Sequence, residues 1–151
     1  MTAPTVIATA TPLNPQILGQ AENAHRALLE RILGTHGGTY HQWVALTLTA
    51  NGGDTVERAP LLGRIAGALK VDAETASRAL SDLVAEGLVA ETPDGASVAA
   101  TEAGRARFGA VRAAIGEKLG RAYAVATAEE LAVAGRVLAA VTERIDAELA
   151  G

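Results

Sequence analysis

Apolar residues recur along most of this chain at steps of three and four, the period of helices that bury one face. Leu18, Ala21, Leu28 and Ile32, with His25 on the same stripe, predict a helix from Pro15 to about Leu33, stopped by Gly-Thr-His-Gly-Gly. Thr39-Tyr40-His41-Gln42 has the form of a capping box, in which the threonine accepts from the third helical amide and the glutamine reaches back. It opens a helix from Tyr40 to about Ala50 carrying Trp43, Leu46 and Leu48. Asp54 to Ala59 reads as a loop. Pro60 suits the first position of a short helix, marked by Leu61, Ile65 and Leu69 and ending at Lys70. Val71–Asp72 is a tight connection, and Asp72 is a good N-cap for the next helix. On that helix Ala76, Leu80 and Leu83 share one face with Val84 beside them, while Glu74, Arg78, Ser81 and Asp82 lie opposite. Gly87 takes the left-handed position that ends it. Leu-Val-Ala-Glu and Ser-Val-Ala-Ala are short β runs around the turn Thr-Pro-Asp-Gly. After Thr101 a long helix carries Phe108, Val111, Ile115 and Leu119. A second capping box at Thr127 to Glu130 opens a last helix striped with Leu131, Ala134, Leu138, Val141, Ile145 and Leu149.

The expected fold class is therefore mainly α with a small β-hairpin wing: a winged helix-turn-helix flanked by N- and C-terminal helices. Residues 1–14 form a loose arm. Residues 15–151 form a single domain, with the winged lobe at about 39–100 and flanking helices at about 15–34 and 101–150. Those outer helices carry apolar stripes that so small a core cannot cover. Composition strengthens the point, because hydrophobic residues make up 49% of the 151 but aromatics only 3%. Alanine-rich helices bury little area each, which favours pairing between two chains, so a homodimer is expected. The N-terminal arm has neither a basic segment nor a long apolar run, which reads as no signal peptide and no membrane span, hence a cytoplasmic protein.

Charge sharpens the functional question. The net charge is −4. Residues 54–108, the part that would meet DNA in a winged helix, hold six basic and nine acidic side chains. Any nucleic-acid contact must come from a few placed side chains rather than a basic patch. The hairpin between Val89 and Ala100 has no Lys or Arg. Cysteine is absent, which removes thiolate metal sites and thiol redox sensing. The three histidines lack zinc-ligand spacing, so no metal site and no cofactor are expected. With no nucleophile elbow, Walker loop or dinucleotide fingerprint, an enzyme is not expected either.

Three stretches, "QWVALTLTANGG", "IAGALKVDAETASRALSDLVAEGLV" and "TEAGRARF", resemble the MarR family of bacterial transcriptional regulators, and the resemblance runs from about Gln16 onward with the element order kept. It implies a homodimer whose terminal helices interlock, bound to a pseudo-palindromic double-stranded operator and acting as a repressor relieved by a small aromatic or acidic effector. A twofold dimer of this kind sets its recognition helices about 34 Å apart. The departure is the wing. Family members usually carry an arginine at the tip that enters the minor groove, where this chain has Glu-Thr-Pro-Asp-Gly-Ala-Ser.

Arg78 occupies the position where the resemblance places a DNA-contacting arginine. Guanine recognition by arginine contributes about 1–3 kcal/mol of discrimination; the other role open to Arg78 is an intrahelical pair with Glu74. Thr75 and Ser77 near the helix start are candidate donors to phosphates or bases, or plain surface residues. Arg64 and Lys70 are candidate phosphate clamps, or ordinary solvated charges. For the effector, His25, His41, Trp43 and Arg112 are the candidates to line a crevice between the terminal helices and the winged lobe; the alternative is that Trp43 is core and His25 a packed interface group. The competing overall reading is a winged-helix dimer that has lost DNA recognition and serves as a ligand-binding or protein-interaction module.

Overall fold

The structure, a computed structural model, describes residues 10–151. Most of the expected N-terminal arm lies outside the described residues. The elements are α1 (Pro15–His36), α2 (Tyr40–Ala50), β1 (Val56–Glu57), α3 (Arg58–Leu69), α4 (Ala73–Ala85), β2 (Val89–Glu91), β3 (Ser97–Ala100), α5 (Glu102–Tyr123) and α6 (Ala128–Ala150). Two compact units are present, one up to Val111 and one from Arg112 to Gly151, with α5 running through the boundary.

The first unit holds the core. Leu46 and Ala45 of α2, Leu61 and Ile65 of α3, and Ala76, Ala79, Leu80 and Leu83 of α4 close on Leu88, Val89 and Val98 of the sheet. The buried positions of α4 follow the period read from the sequence, so its other face is left to solvent. Burying each of these leucines, isoleucines or valines stabilises by about 1.5–3 kcal/mol relative to exposure.

The ends of the helices are set by local chemistry. Both capping boxes form, Thr39 with Gln42 and Thr127 with Glu130. At the end of α4, the Leu88 amide donates to the Leu83 carbonyl and the Gly87 amide to that of Val84, with Gly87 at φ 76°. This paired closure needs a left-handed residue, which is the physical reason for the glycine. At the end of α3 a related left-handed closure is made by Lys70 at φ 55°, with both the Lys70 and the Val71 amides donating to the Ala66 carbonyl. A side chain there meets the steric cost of the left-handed region. Lys70→Gly is expected to stabilise the chain by about 0.5–1 kcal/mol, checked by denaturant unfolding; a loss of stability would contradict this account of the turn.

Three boundaries differ from the expectation. First, α1 continues through Gly34, Thr35 and His36 and stops only at Gly37, whose φ of 91° breaks it. Second, the expected loop at Asp54–Ala59 contains β1, which adds to the hairpin to give an antiparallel sheet in the order β1-β3-β2. Val56 pairs with Val98 and Glu57 with Ser97, while Val89 pairs with Ala100 and Glu91 with Val98. Third, α3 opens at Arg58, which moves Pro60 from the first to the third helical position. Proline is tolerated there because the first-turn amides have no intrahelical acceptor.

The second unit contains the end of α5, a short turn and α6. No residue from Arg112 to Gly151 is buried. Leu131, Val141, Ile145 and Leu149 of the α6 stripe are exposed.

Candidate nucleic-acid interface

The helix-turn-helix is formed by α3, the turn at Lys70–Asp72, and α4. Asp72 caps α4 by accepting from the Thr75 amide at 2.8 Å. Hydrogen bonds from the Thr75 side chain and amide hold its carboxyl below the usual carboxylate range, with a smaller contribution from the Arg78 charge. The cap's stabilisation is therefore fully present above the ordinary carboxylate titration range and is lost as pH falls through the lowered value.

Arg78 projects from the outer face of α4 and is two-thirds exposed. Its Nη2 donates to Glu74 Oε1 at 3.1 Å, the intrahelical pair that was the second role open to it. An exposed pair four residues apart contributes only about 0.3–0.5 kcal/mol. That is less than the roughly 1–3 kcal/mol of a good bidentate contact to guanine, so the pair does not hold the guanidinium against a stronger acceptor. Thr75 is half-buried and committed in part to the cap, and Ser77 is half-buried beside it. Arg64 on α3 and Lys70 in the turn are exposed.

An open cleft of about 230 Å³ runs between α4 and the start of α2, lined by Thr39, His41, Gln42, Thr75, Arg78, Ala79 and Asp82. It brings together two of the expected DNA contacts, Thr75 and Arg78, and adds His41. Ser77, Arg64 and Lys70 are not part of it.

The wing is tied down rather than extended toward a ligand. Asp94 accepts from the Thr92 hydroxyl at 2.6 Å and from the Ala96 amide at 3.0 Å. These bonds, the Thr92 one foremost, hold its carboxyl below the usual range. At the base of the hairpin, Arg58 pairs with Glu91. The tip thus presents a carboxylate held by the turn's own hydrogen bonds.

The four expected effector residues do not share one crevice. His41 lines the α4 cleft. His25 lines a separate open cleft of about 190 Å³ with Glu22, Arg26, Leu29 and Tyr40, where the Arg26 guanidinium sits 4.6 Å from the centre of the Tyr40 ring. Trp43 stacks on Phe108 with ring centres 5.6 Å apart and lines a cavity of about 10 Å³ with Leu33, Leu46, Leu83 and Arg107. A space of that size holds about one water molecule, so anything larger must displace the side chains that line it. Arg112 begins the second unit.

The sequence reading missed a polar network beside that cavity. Gln42 Nε2 donates to one oxygen of Glu86 and Arg107 to the other, both at 3.2 Å. Arg107 lies inside the "TEAGRARF" stretch, but nothing in its spacing announced a partner 21 residues earlier. Among the described residues, no three His, Asp or Glu side chains converge as metal ligands, and no helix is long and apolar enough to cross a membrane.

Together the exposed outer face of α4, the turn before it and the three-stranded sheet after it define a winged helix-turn-helix. More particularly, the chain has the fold of the MarR-family transcriptional regulators. It is similar to a MarR-family regulator from Silicibacter pomeroyi, with 23% identity over 87% of this chain and 88% of that one, and a TM-score of 0.70. Ligand-free NadR superposes with a TM-score of 0.74 at 21% identity, covering 89% of this chain and 98% of that one. CouR from Rhodococcus jostii RHA1, bound to p-coumaroyl-CoA, gives 0.71 at 18% identity, covering 83% and 88%. No protein-family model and no curated protein sequence matches the chain.

Proposed function

We propose that this protein is a dimeric cytoplasmic transcriptional regulator that binds double-stranded DNA through α4 and represses until a small aromatic or acidic ligand binds. The observation that carries the reading is α4 itself. Four of its residues, Ala76, Ala79, Leu80 and Leu83, are buried, while Arg78 and Glu74 on the outer face serve no packing role. Arg78 is then the base-reading side chain, Thr75 and Ser77 support it near the helix start, and Arg64 and Lys70 clamp flanking phosphates. The dimer is formed by α1, α5 and α6, of which α6 has no residue buried within its own chain. The ligand reading draws support from two regulators of this fold, CouR bound to p-coumaroyl-CoA and NadR bound to 4-hydroxyphenylacetate. In this chain the cleft at His25 and Arg26 offers a cation and an aromatic wall for such a molecule. Ligand-driven change in the spacing of two α4 helices would release an operator of fixed geometry.

An electrophoretic shift with the DNA flanking its own gene tests the core claim. Arg78→Ala is expected to weaken binding by about 10- to 100-fold, matching the loss of one base contact; equal binding by the two proteins removes Arg78 from the interface. Few phosphates are neutralised per subunit, so the salt slope should be shallow. The acidic wing favours one other reading, a winged-helix dimer that no longer reads DNA and acts as a ligand-binding or protein-interaction module. Its signature is no affinity for duplex DNA even at low salt.

A further inference from the structure

The cleft between α2 and α4 carries a charge balance that depends on one imidazole. On the α4 wall stand Arg78 and Asp82, with Glu74 holding the guanidinium. On the α2 wall stands half-buried His41, next to Tyr40, with ring centres 6.3 Å apart. The other charged groups on elements around the start of α2 are already engaged: Arg26 of α1 over the Tyr40 ring and donating to Glu30, and Glu86 beyond α4 accepting from Gln42 and Arg107. Glu74, Asp82 and Arg78 alone leave the cleft with one net negative charge, which repels a phosphodiester. Protonation of His41 brings it to neutrality and adds a second cationic donor facing Arg78. Histidine is the side chain whose charge ordinarily changes between about pH 5 and 8.

We infer that this cleft receives a backbone phosphodiester of DNA at His41, beside the base-reading Arg78, so that His41 is a proton-dependent DNA contact and not an effector residue. The inference rests on the reading of α4 as the DNA-facing helix. Phosphate stabilises the imidazolium, so binding takes up a proton, and by linkage affinity rises as pH falls. Asp82 reinforces the direction, because the imidazolium offsets the carboxylate that otherwise opposes the ligand.

Fluorescence anisotropy with a short mixed-sequence DNA duplex at low salt tests it. Wild-type protein is expected to bind about tenfold more tightly at about pH 6 than at about pH 8. His41→Gln, neutral throughout, is expected to match wild type at the higher pH and to show a flat profile. His36→Gln is expected to keep the wild-type profile. A His41→Gln protein with the full pH response overturns the inference while leaving DNA binding by α4 intact. Absence of binding by wild type at both pH values overturns the DNA reading and this inference together. Because the His41→Gln change could disturb the start of α2, the His41 ring is also followed by NMR in the wild-type protein with and without the duplex. Its titration moves to higher pH on DNA if the phosphate contact exists, and an unmoved titration overturns it.

Discussion

Replacing Gly104 with alanine is expected to destabilise the first unit by about 3 kcal/mol and to lower its melting temperature by about 10 °C. Gly104 is buried in the first turn of α5, directly against Leu88, the residue before β2. A Cβ at this position would overlap the carbonyl oxygen of Leu88 and come within 3.0 Å of its carbonyl carbon. The obstacle is backbone, so no side-chain rotation relieves it. The backbone there is also fixed from the other side. The Thr101 amide donates to Leu88 O at 3.0 Å, the Thr101 hydroxyl donates to Gly87 O at 2.7 Å, and the Gly104 amide donates back to that hydroxyl at 3.0 Å. Helix propensity favours alanine over glycine by about 1 kcal/mol, which is smaller than the overlap. Gly109, further along the same helix, meets nothing within 4 Å and serves as the control. Gly109→Ala is expected to be neutral or stabilising by up to about 1 kcal/mol. Thermal unfolding followed by circular dichroism separates the two, and equal stabilities would dismiss the close packing of α5 on Leu88.

That contact gives physical content to the "TEAG" stretch, which the sequence alone presents as a family resemblance. Thr101 ends the sheet, caps α5 and anchors the αL turn after α4, and Gly104 allows the approach. The bond from Thr101 to Gly87 spans 14 positions and leaves no periodic trace. What is legible in the sequence is local. Capping boxes at Thr39 and Thr127, the Asp72 cap, the Gly87 closure and the 3.6-residue stripes depend on neighbours within a turn, and each of these features is present in the fold. β1 is not legible because two residues cannot show alternation, and it pairs with β3, some 40 residues on. The end of α1 lies beyond its expected place because Gly34 weakens a helix without ending it; the left-handed backbone at Gly37 ends it.

The candidate site divides along the same line. The exposed position of Arg78 follows from α4 periodicity, so it is readable. The separation of His25, His41 and Trp43 into three clefts is not, because helix faces do not say which neighbour each face meets. His25 lies on the apolar stripe of α1 and is nonetheless exposed. His41 is two residues from Trp43, yet an offset of two on a helix points the side chains to opposite sides. One therefore reaches the α4 cleft and the other the cavity beside Phe108.

Introducing a carboxylate into the α6 stripe is expected to break the proposed dimer. Ile145 is half exposed, Leu149 is 70% exposed and Val141 38%, and no α6 residue is buried within its own chain. A stripe of this kind spans the helix at steps of three and four from Leu131 to Leu149 and has no charged interruption. Burying an isoleucine side chain against a second copy contributes about 2–3 kcal/mol, and placing an unpaired carboxylate there adds a penalty of its own. Twofold symmetry applies each cost twice. Ile145→Asp should therefore weaken association by about 6 kcal/mol, roughly 10⁴-fold in the dissociation constant, which converts a nanomolar or weaker dimer to monomer at laboratory concentrations. Light scattering coupled to size exclusion reads the mass directly. Arg136→Ala, on the same helix but off the stripe, should leave the mass unchanged. A monomeric lobe would retain α4 and its cleft yet lose the fixed spacing of two recognition helices, so its operator binding should fall to that of a single lobe while its fold survives. A wild-type protein that is monomeric, or an Ile145→Asp variant that remains dimeric, would place the interface elsewhere and remove the spacing mechanism with it.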